Sequence, residues 1–127
     1  MIKYYKKING GINMKNGYDL TRELITILSN MDFLFLKKNK ETNISEIKIL
    51  DQKLDILEEN MHDIKKQLRD KNCYAESLKL IRIIANIDVE NDKKNNKLSY
   101  NQEQLIDRKI DSLELEMYKL KDYLKNK

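Results

Sequence analysis

The stretch DQKLDILEENM at residues 51–61 recurs 56 residues later as DRKIDSLELEM at residues 107–117. Both stretches read Asp-x-Lys-aliphatic-Asp-x-Leu-Glu-x-x-Met. When the chain is aligned with itself at this offset, residues 18–71 match residues 74–127 without a gap, and 18 of the 54 positions are identical. Such similarity at one fixed offset indicates an internal duplication, so the chain carries two copies of one unit.

Each unit reads as a helix, a polar loop and a longer helix. Apolar residues at helical spacing predict first helices over about residues 19–36 and 75–90, followed by the loops KKNKETN and NDKKNNKL. The second helices start with matching capping signals, Asn43 with Glu46 and Ser99 with Gln102. In each capping box, both side chains satisfy backbone N–H groups that have no partner within the helix.

The long helices carry apolar residues at alternating steps of three and four. These residues are Ile47, Leu50, Leu54, Leu57, Met61, Ile64 and Leu68 in the first copy, and Ile106, Ile110, Leu113, Met117, Leu120 and Leu124 in the second. A period of 3.5 residues forms a seam that suits near-antiparallel packing against another helix. A loop of about eight residues lets each short helix fold back on its long helix.

The sequence therefore predicts an all-α protein built from two tandem antiparallel helical hairpins, at residues 18–71 and 74–127. The two hairpins could close a four-helix bundle, or each could pair with a second chain in a homodimer. We expect residues 1–17 to be a disordered tail or a mis-assigned start. The segment NGGINM can be encoded with a ribosome-binding sequence, which favours translation from Met14.

Composition excludes several classes of function. The net charge of +4 comes from finely mixed acidic and basic residues rather than a basic stripe, which argues against nucleic acid as a partner. No apolar run approaches the roughly 18 residues of a membrane span, and no signal-peptide pattern is present. A single cysteine, Cys73, and a single histidine, His62, cannot build a structural zinc site. We expect a soluble, cytoplasmic protein with no metal site.

The repeated aspartates lie beside the seam, and packing does not explain them. Asp51 and Asp55, like Asp107 and Asp111, are four residues apart on one helical face, where like charges cost a few tenths of a kcal/mol. One interpretation is a solvated acidic face inherited from the duplication and balanced by nearby lysines. The other is that Asp51, Asp107 and Asp111 face a partner protein or a metal-bearing site.

The first long helix resembles the short aspartyl-phosphate phosphatases of the stage-zero sporulation regulatory family. These are small helical hairpins with a Ser-Gln-Glu-Leu-Asp signature on the second helix. The first copy matches this signature at Gln52, Leu54 and Asp55, and departs from it at Asp51 and Lys53. The second copy keeps only Ile110 as the aliphatic residue and Asp111 as the acid.

The resemblance implies docking on a phosphorylated response-regulator receiver domain and hydrolysis of its aspartyl phosphate. The receiver would bring the acyl phosphate and Mg²⁺, so no cofactor is expected on this chain. The implied catalytic residues are Gln52, which would orient the attacking water, and Asp55, which would orient that water or engage the metal-bearing site. Arg108 replaces the glutamine in the second copy and cannot accept a hydrogen bond from water.

The alternative function is a non-catalytic helical interaction module, such as a regulator or inhibitor encoded on a mobile element. Two further constellations are interpreted as structural. Glu59 and His62 have the Glu-x-x-His spacing of di-iron bundles, but both lie off the seam and the second copy has Leu115 and Tyr118 there. Cys73 lies in the link between the hairpins with no base to activate it, which indicates an inert thiol.

Overall fold

A computed structural model describes residues 15–127, and these residues form four α-helices joined by short connections. The helices are α1 (Gly17–Lys40), α2 (Ile44–Asp70), α3 (Tyr74–Lys93) and α4 (Tyr100–Lys125). Helix α1 packs on α2, and α3 packs on α4, as the main contacts of the fold. The prediction of an all-α protein made of two tandem hairpins is confirmed. We call α1–α2 hairpin 1 and α3–α4 hairpin 2.

The connection inside hairpin 1 is shorter than the predicted loop. Helix α1 continues four residues beyond the predicted end at Leu36, so the connection spans only residues 41–43. The segment that was predicted as loop starts with three lysines and an asparagine and contains no Gly or Pro, and lysine is a good helix former. The three lysines also lie in the last turn of α1, where the helix dipole favours positive charge.

The two predicted capping boxes differ in completeness. In hairpin 2, Ser99 Oγ accepts a hydrogen bond from the Gln102 backbone N–H (3.2 Å), and Gln102 Oε1 accepts one from the Ser99 N–H (2.9 Å). In hairpin 1, Asn43 Oδ1 caps the Glu46 N–H (3.2 Å), but the Asn43 N–H donates instead to Glu41 Oε1 (3.0 Å). The capping box is therefore complete only at the start of α4.

A tight turn of three residues joins the two hairpins. Asn72 adopts a positive φ of 58°, a conformation that asparagine tolerates better than most residues. The Asn72 N–H donates to the Arg69 carbonyl, and the Cys73 N–H donates to the Leu68 carbonyl (3.0 Å). These two bonds form a Schellman motif, which satisfies the last carbonyls of α2 and reverses the chain. The buried side chains of Cys73 and Leu68 belong to the same core.

Equivalent residues of the two repeats meet where the hairpins join. The hydroxyls of Thr21 and Ser77, which are 56 residues apart, are both fully buried and 2.7 Å from each other. Lys71 Nζ donates to the carbonyl oxygen of its equivalent, Lys127 (3.2 Å). A Cβ atom on Gly17 would lie 3.0 Å from Sγ of its equivalent, Cys73. The two hairpins are therefore related by a pseudo-two-fold axis that passes through this junction.

The main core lies at the same end of the molecule. It is formed by the start of α1 and α3 and the end of α2 and α4, and its buried members are Leu20, Leu24, Ile64, Leu68, Cys73, Leu80 and Leu124. Beyond this core the two hairpins make few contacts with each other, and no Cα atom of α2 lies within 8 Å of a Cα atom of α4. The four helices thus come together around this core only, rather than as a bundle along their full length.

The predicted N-terminal tail lies mostly outside the described residues. This holds for residues 1–14, including the predicted start at Met14. Residues 15–17 belong to the fold, because Asn16 caps α1 by accepting from the Asp19 N–H (2.8 Å) and Gly17 is buried as its first residue. The hairpin therefore begins slightly before the predicted boundary at Tyr18. Within the described part of the chain, no helix has the combined length and apolar character of a membrane span.

Candidate functional site on the outer face of helix α2

The residues that were predicted to be catalytic lie on the side of α2 that faces away from hairpin 1. Leu50 and Leu54 are buried in the seam. Each residue turns an α-helix by about 100°, so Gln52 lies roughly opposite the seam, on the outermost line of α2. Gln52 and Asp55 are both exposed, and their spacing of three residues places them on one face. The fold therefore brings the two side chains together on an open helix surface.

Two exposed isoleucines accompany this pair. Ile49 and Ile56 are 43% and 61% exposed, and they lie one turn before and one turn after Gln52. Asp55 forms no ion pair with any of residues 15–127, and neither does Glu58 one turn on. This face combines an amide, uncompensated carboxylates and aliphatic side chains. We call Ile49, Gln52, Asp55 and Ile56 the α2 outer face.

Asp51 and Asp107 have equivalent ion pairs that explain why both repeats keep an aspartate there. Asp51 Oδ1 lies 2.5 Å from Lys38 Nζ, and Asp107 Oδ1 pairs in the same way with Lys94. Lys38 and Lys94 are themselves equivalent residues, so each bridge ties the end of the short helix to the long helix. The hydrogen bond to Asp107, together with its negative charge, raises the pKa of Lys94. Because both bridges lie at the surface, they contribute little to the stability of each hairpin.

The three aspartates that were predicted to bind a partner thus differ in their surroundings. Asp51 and Asp107 remain about half exposed although each is paired with a lysine. Asp111 is exposed, and its charge contributes to raising the pKa of Lys94. Partner binding by these residues stays a prediction, while the ion pairs supply a structural reason for the recurrence of Asp51 and Asp107.

The equivalent surface of α4 has different chemistry. Arg108 occupies the position of Gln52 and is exposed, as is Asp111 at the position of Asp55. An arginine side chain donates hydrogen bonds and accepts none, so it cannot orient a water through the water's proton. Ser112 stands where hairpin 1 has Ile56, which removes one of the two exposed aliphatic side chains. Of these two equivalent surfaces within residues 15–127, that of α2 carries the predicted pair of Gln52 and Asp55, and that of α4 does not.

The other residue groups considered from the sequence are placed apart from the α2 outer face. Glu59 and His62 are exposed, and residues 15–127 contain no group of three or more His, Cys, Asp or Glu side chains that could hold a metal ion. A groove of about 1000 Å³ lies between α1 and α2 near Asp19 and Asp63 and does not include Gln52. Cys73 is fully buried, and this burial raises the pKa of its thiol, as expected for an inert cysteine.

One charged residue in the protein interior was missed by the sequence reasoning. Glu90 is buried in hairpin 2, where its carboxylate lies 2.8 Å from Lys93 Nζ and 3.4 Å from Lys109 Nζ. The hydrogen bond from Lys93 lowers the pKa of Glu90, and the charge of Lys109 adds to this effect against the cost of burial. The signal that could have found it is its place in the repeat, where hairpin 1 has the apolar Leu34.

Comparisons of the chain with protein-family models, with curated proteins and with solved structures find no match in any of the three. The function of the chain is therefore inferred from the residues and the geometry of the α2 outer face.

Proposed function

We propose that this protein docks the α2 outer face on a phosphorylated response-regulator receiver domain and promotes hydrolysis of the receiver's aspartyl phosphate. The observation that carries the proposal is the shared exposed position of Gln52 and Asp55, opposite the seam that fixes the helix. A site on a convex helix can enter the cleft of a partner, and an open surface suffices because the partner supplies the phosphate. The proposal includes a cytoplasmic location.

The proposed chemistry requires little from the helix itself. Phosphoryl transfer depends mainly on alignment and electrostatics, and Mg²⁺ held by the receiver would neutralise charge on the phosphoryl group. The Gln52 carbonyl oxygen would accept a hydrogen bond from the attacking water, and its NH₂ group would donate to a phosphoryl oxygen. The water attacks phosphorus, the bond from phosphorus to the carboxylate oxygen breaks, and the products are inorganic phosphate and the free aspartate. Asp55 would orient the water and accept its proton.

The second candidate is a non-catalytic interaction module that uses the same surface. Ile49 and Ile56 favour it, because apolar side chains seven residues apart on an exposed helix face are typical anchors of a helix that docks in a partner's groove. In this form of the proposal the partner need not carry a phosphate, and Gln52 would be one polar contact among several. A regulator or inhibitor encoded on a mobile element would fit this description.

The experiment that separates the two candidates follows loss of labelled phosphate from a panel of phosphorylated receiver domains. The phosphatase proposal predicts that the wild-type protein accelerates the loss on at least one receiver. It also predicts that Gln52→Ala reduces the acceleration by about 100-fold, the scale of a lost transition-state contact. Because Gln52 is exposed, the variant should keep its helical circular dichroism signal and its melting temperature.

The matched control is Arg108→Ala, which changes the equivalent position of hairpin 2. It should leave the rate within about twofold of wild type, since the second copy lacks the water-orienting amide. If no receiver responds, or if Gln52→Ala retains full activity, the phosphatase proposal is wrong. A stable partner that is retained by Gln52→Ala and lost with Ile56→Asp would instead support the interaction module.

A further inference from the structure

The side of α4 that faces away from its seam carries a line of exposed residues with alternating charge. They are three or four residues apart, a spacing that places them on one face of a helix. The line consists of Arg108, Asp111, Leu115, Lys119 and Asp122. Leu115 is 59% exposed, and none of the four charged side chains forms an ion pair with any of residues 15–127. We call these five residues the α4 outer face.

The α4 outer face is complementary to itself when two copies of α4 lie antiparallel. A two-fold axis between the two helices brings residues that lie equally far before and after it in sequence opposite each other. With Leu115 on the axis, Asp111 lies opposite Lys119 of the second copy, and Arg108 lies opposite Asp122 of the second copy. Because symmetry repeats each pairing, the contact between the two Leu115 side chains is flanked by four pairs of opposite charge.

The equivalent surface of α2 lacks this complementarity. In hairpin 1, Glu59 stands at the position of Leu115, and Asp63 stands at the position of Lys119. The same antiparallel pairing of α2 would place Glu59 against itself and Asp55 against Asp63, and like charges that face each other in an interface repel. The charges therefore favour self-association through α4 and oppose it through α2.

We propose that two copies of this chain form a dimer in which the α4 outer faces pack antiparallel, with the two Leu115 side chains on the two-fold axis. Because each face pairs with itself, the assembly closes with two copies. Tyr118, which is 59% exposed, adds apolar surface at the edge of the contact. The seams stay occupied within each hairpin, in contrast to a homodimer through the seams. The contact uses no residue of the α2 outer face, so the hydrolysis proposed for Gln52 does not depend on it.

The test of this proposal measures the mass of the protein by sedimentation equilibrium across micromolar concentrations, at low salt so that the ion pairs are not screened. Wild type should be a dimer. Lys119→Asp, which copies Asp63 of hairpin 1, places a like charge opposite Asp111 of the second copy and should weaken the dimer about tenfold or more. The matched control is Lys53→Asp, the same change of charge at an exposed lysine of α2, and it should sediment as wild type does.

A charge reversal on the other side of the pair tests the pairing itself. Asp111→Lys alone should also weaken the dimer, because it faces Lys119 of the second copy. A mixture of the Asp111→Lys and Lys119→Asp proteins should dimerise about as strongly as wild type, since each substituted residue then lies opposite its opposite charge. Wild-type protein that is a monomer at all concentrations overturns the proposal. Lys119→Asp protein that sediments as wild type, or a mixture that stays monomeric, overturns it as well.

The antiparallel register is tested by oxidative cross-linking with single cysteines on α4. Leu115→Cys should form a disulfide between copies, because helices packed about 8–10 Å apart bring two Cα atoms on the axis within the reach of a disulfide. Leu105→Cys, at a residue of similar exposure (63%), should not, since the two substituted positions lie about 30 Å apart along the helices. Equal cross-linking of both variants overturns the proposed contact. Circular dichroism verifies that the helices remain folded, which is expected because the changed residues are exposed.

Discussion

Hairpin 1 and hairpin 2 share a seam and a lysine–aspartate ion pair, but their connections differ in length, with residues 41–43 in hairpin 1 and residues 94–99 in hairpin 2, and several equivalent side chains differ in chemistry. Leu34 of hairpin 1 corresponds to the buried Glu90 of hairpin 2, and Gln52 corresponds to Arg108. By contrast, Asp51 and Asp107 keep the same lysine partners in both copies. Equivalent residues that keep the same partner mark what the hairpin requires, whereas Gln52 and Ile56 of the α2 outer face differ from their equivalents, Arg108 and Ser112.

The largest expected effect tests whether the two hairpins contribute equally to the core. Leu68 and Leu124 are equivalent, fully buried and members of the same cluster. Replacing either with alanine removes buried methyl groups and leaves a cavity, so each variant should lose about 2–5 kcal/mol of unfolding free energy. Urea denaturation followed by circular dichroism measures both values. If one variant loses a large amount and the other almost nothing, the two hairpins do not contribute equally to the core.

A smaller effect concerns Glu90, which stands where hairpin 1 has the apolar Leu34. Because its folded pKa is lowered from 4.5, Glu90 stabilises the protein fully above about pH 4.5, and this contribution is lost as the pH falls through the folded value. Glu90→Leu, which copies Leu34 of hairpin 1, should therefore lose less stability than wild type between pH 6 and about pH 3. Near neutral pH the change should be small, because Lys93 and Lys109, which lose their partner, are at least half exposed (50% and 60%) and can be hydrated instead.

Thermal melting across this pH range measures the difference, with Glu116→Leu as a control. Glu116 forms the surface bridge to Lys79 and is about half exposed (46%). Its replacement should leave the pH dependence close to that of wild type, because an exposed bridge contributes little. If Glu90→Leu loses as much stability in acid as wild type does, the stabilising role assigned to the Glu90 carboxylate is wrong.

Much of the fold could be predicted from the sequence, because the repeat and the 3.5-residue seam are local patterns. The helix types, the positions of Asn43 and Ser99 as caps and the hairpin pairing all follow from such patterns. The length of α1 could not be predicted, because lysines and asparagines fit a loop as well as a last helical turn. The partial loss of the first capping box depends on Glu41, whose carboxylate reaches the Asn43 N–H only in the folded connection.

The surroundings of the candidate site were harder to predict than its exposure. Gln52 and Asp55 lie off the seam, so their outward position follows from the helical period alone. The partners of Asp51 and Asp107 depend on how α1 and α3 pack, although the recurrence of Lys38 and Lys94 at the same offset was a usable signal. The burial of Glu90 also depends on tertiary packing, which a helical pattern does not contain.

The meeting of equivalent residues on the pseudo-two-fold axis is tested most directly by an engineered disulfide. The Thr21 hydroxyl donates to the Gly17 carbonyl (2.7 Å), so the Ser77 hydroxyl must donate to Thr21 across the junction. In a Cys73→Ala background, Thr21→Cys with Ser77→Cys should oxidise to a bridge within one chain, seen as a loss of two hydrogens by mass spectrometry. The exposed equivalent pair Thr26→Cys with Arg82→Cys, on other faces of α1 and α3, should not. Free thiols at positions 21 and 77 after oxidation, or bridging as efficient in the control, would contradict the proposed meeting of the two repeats.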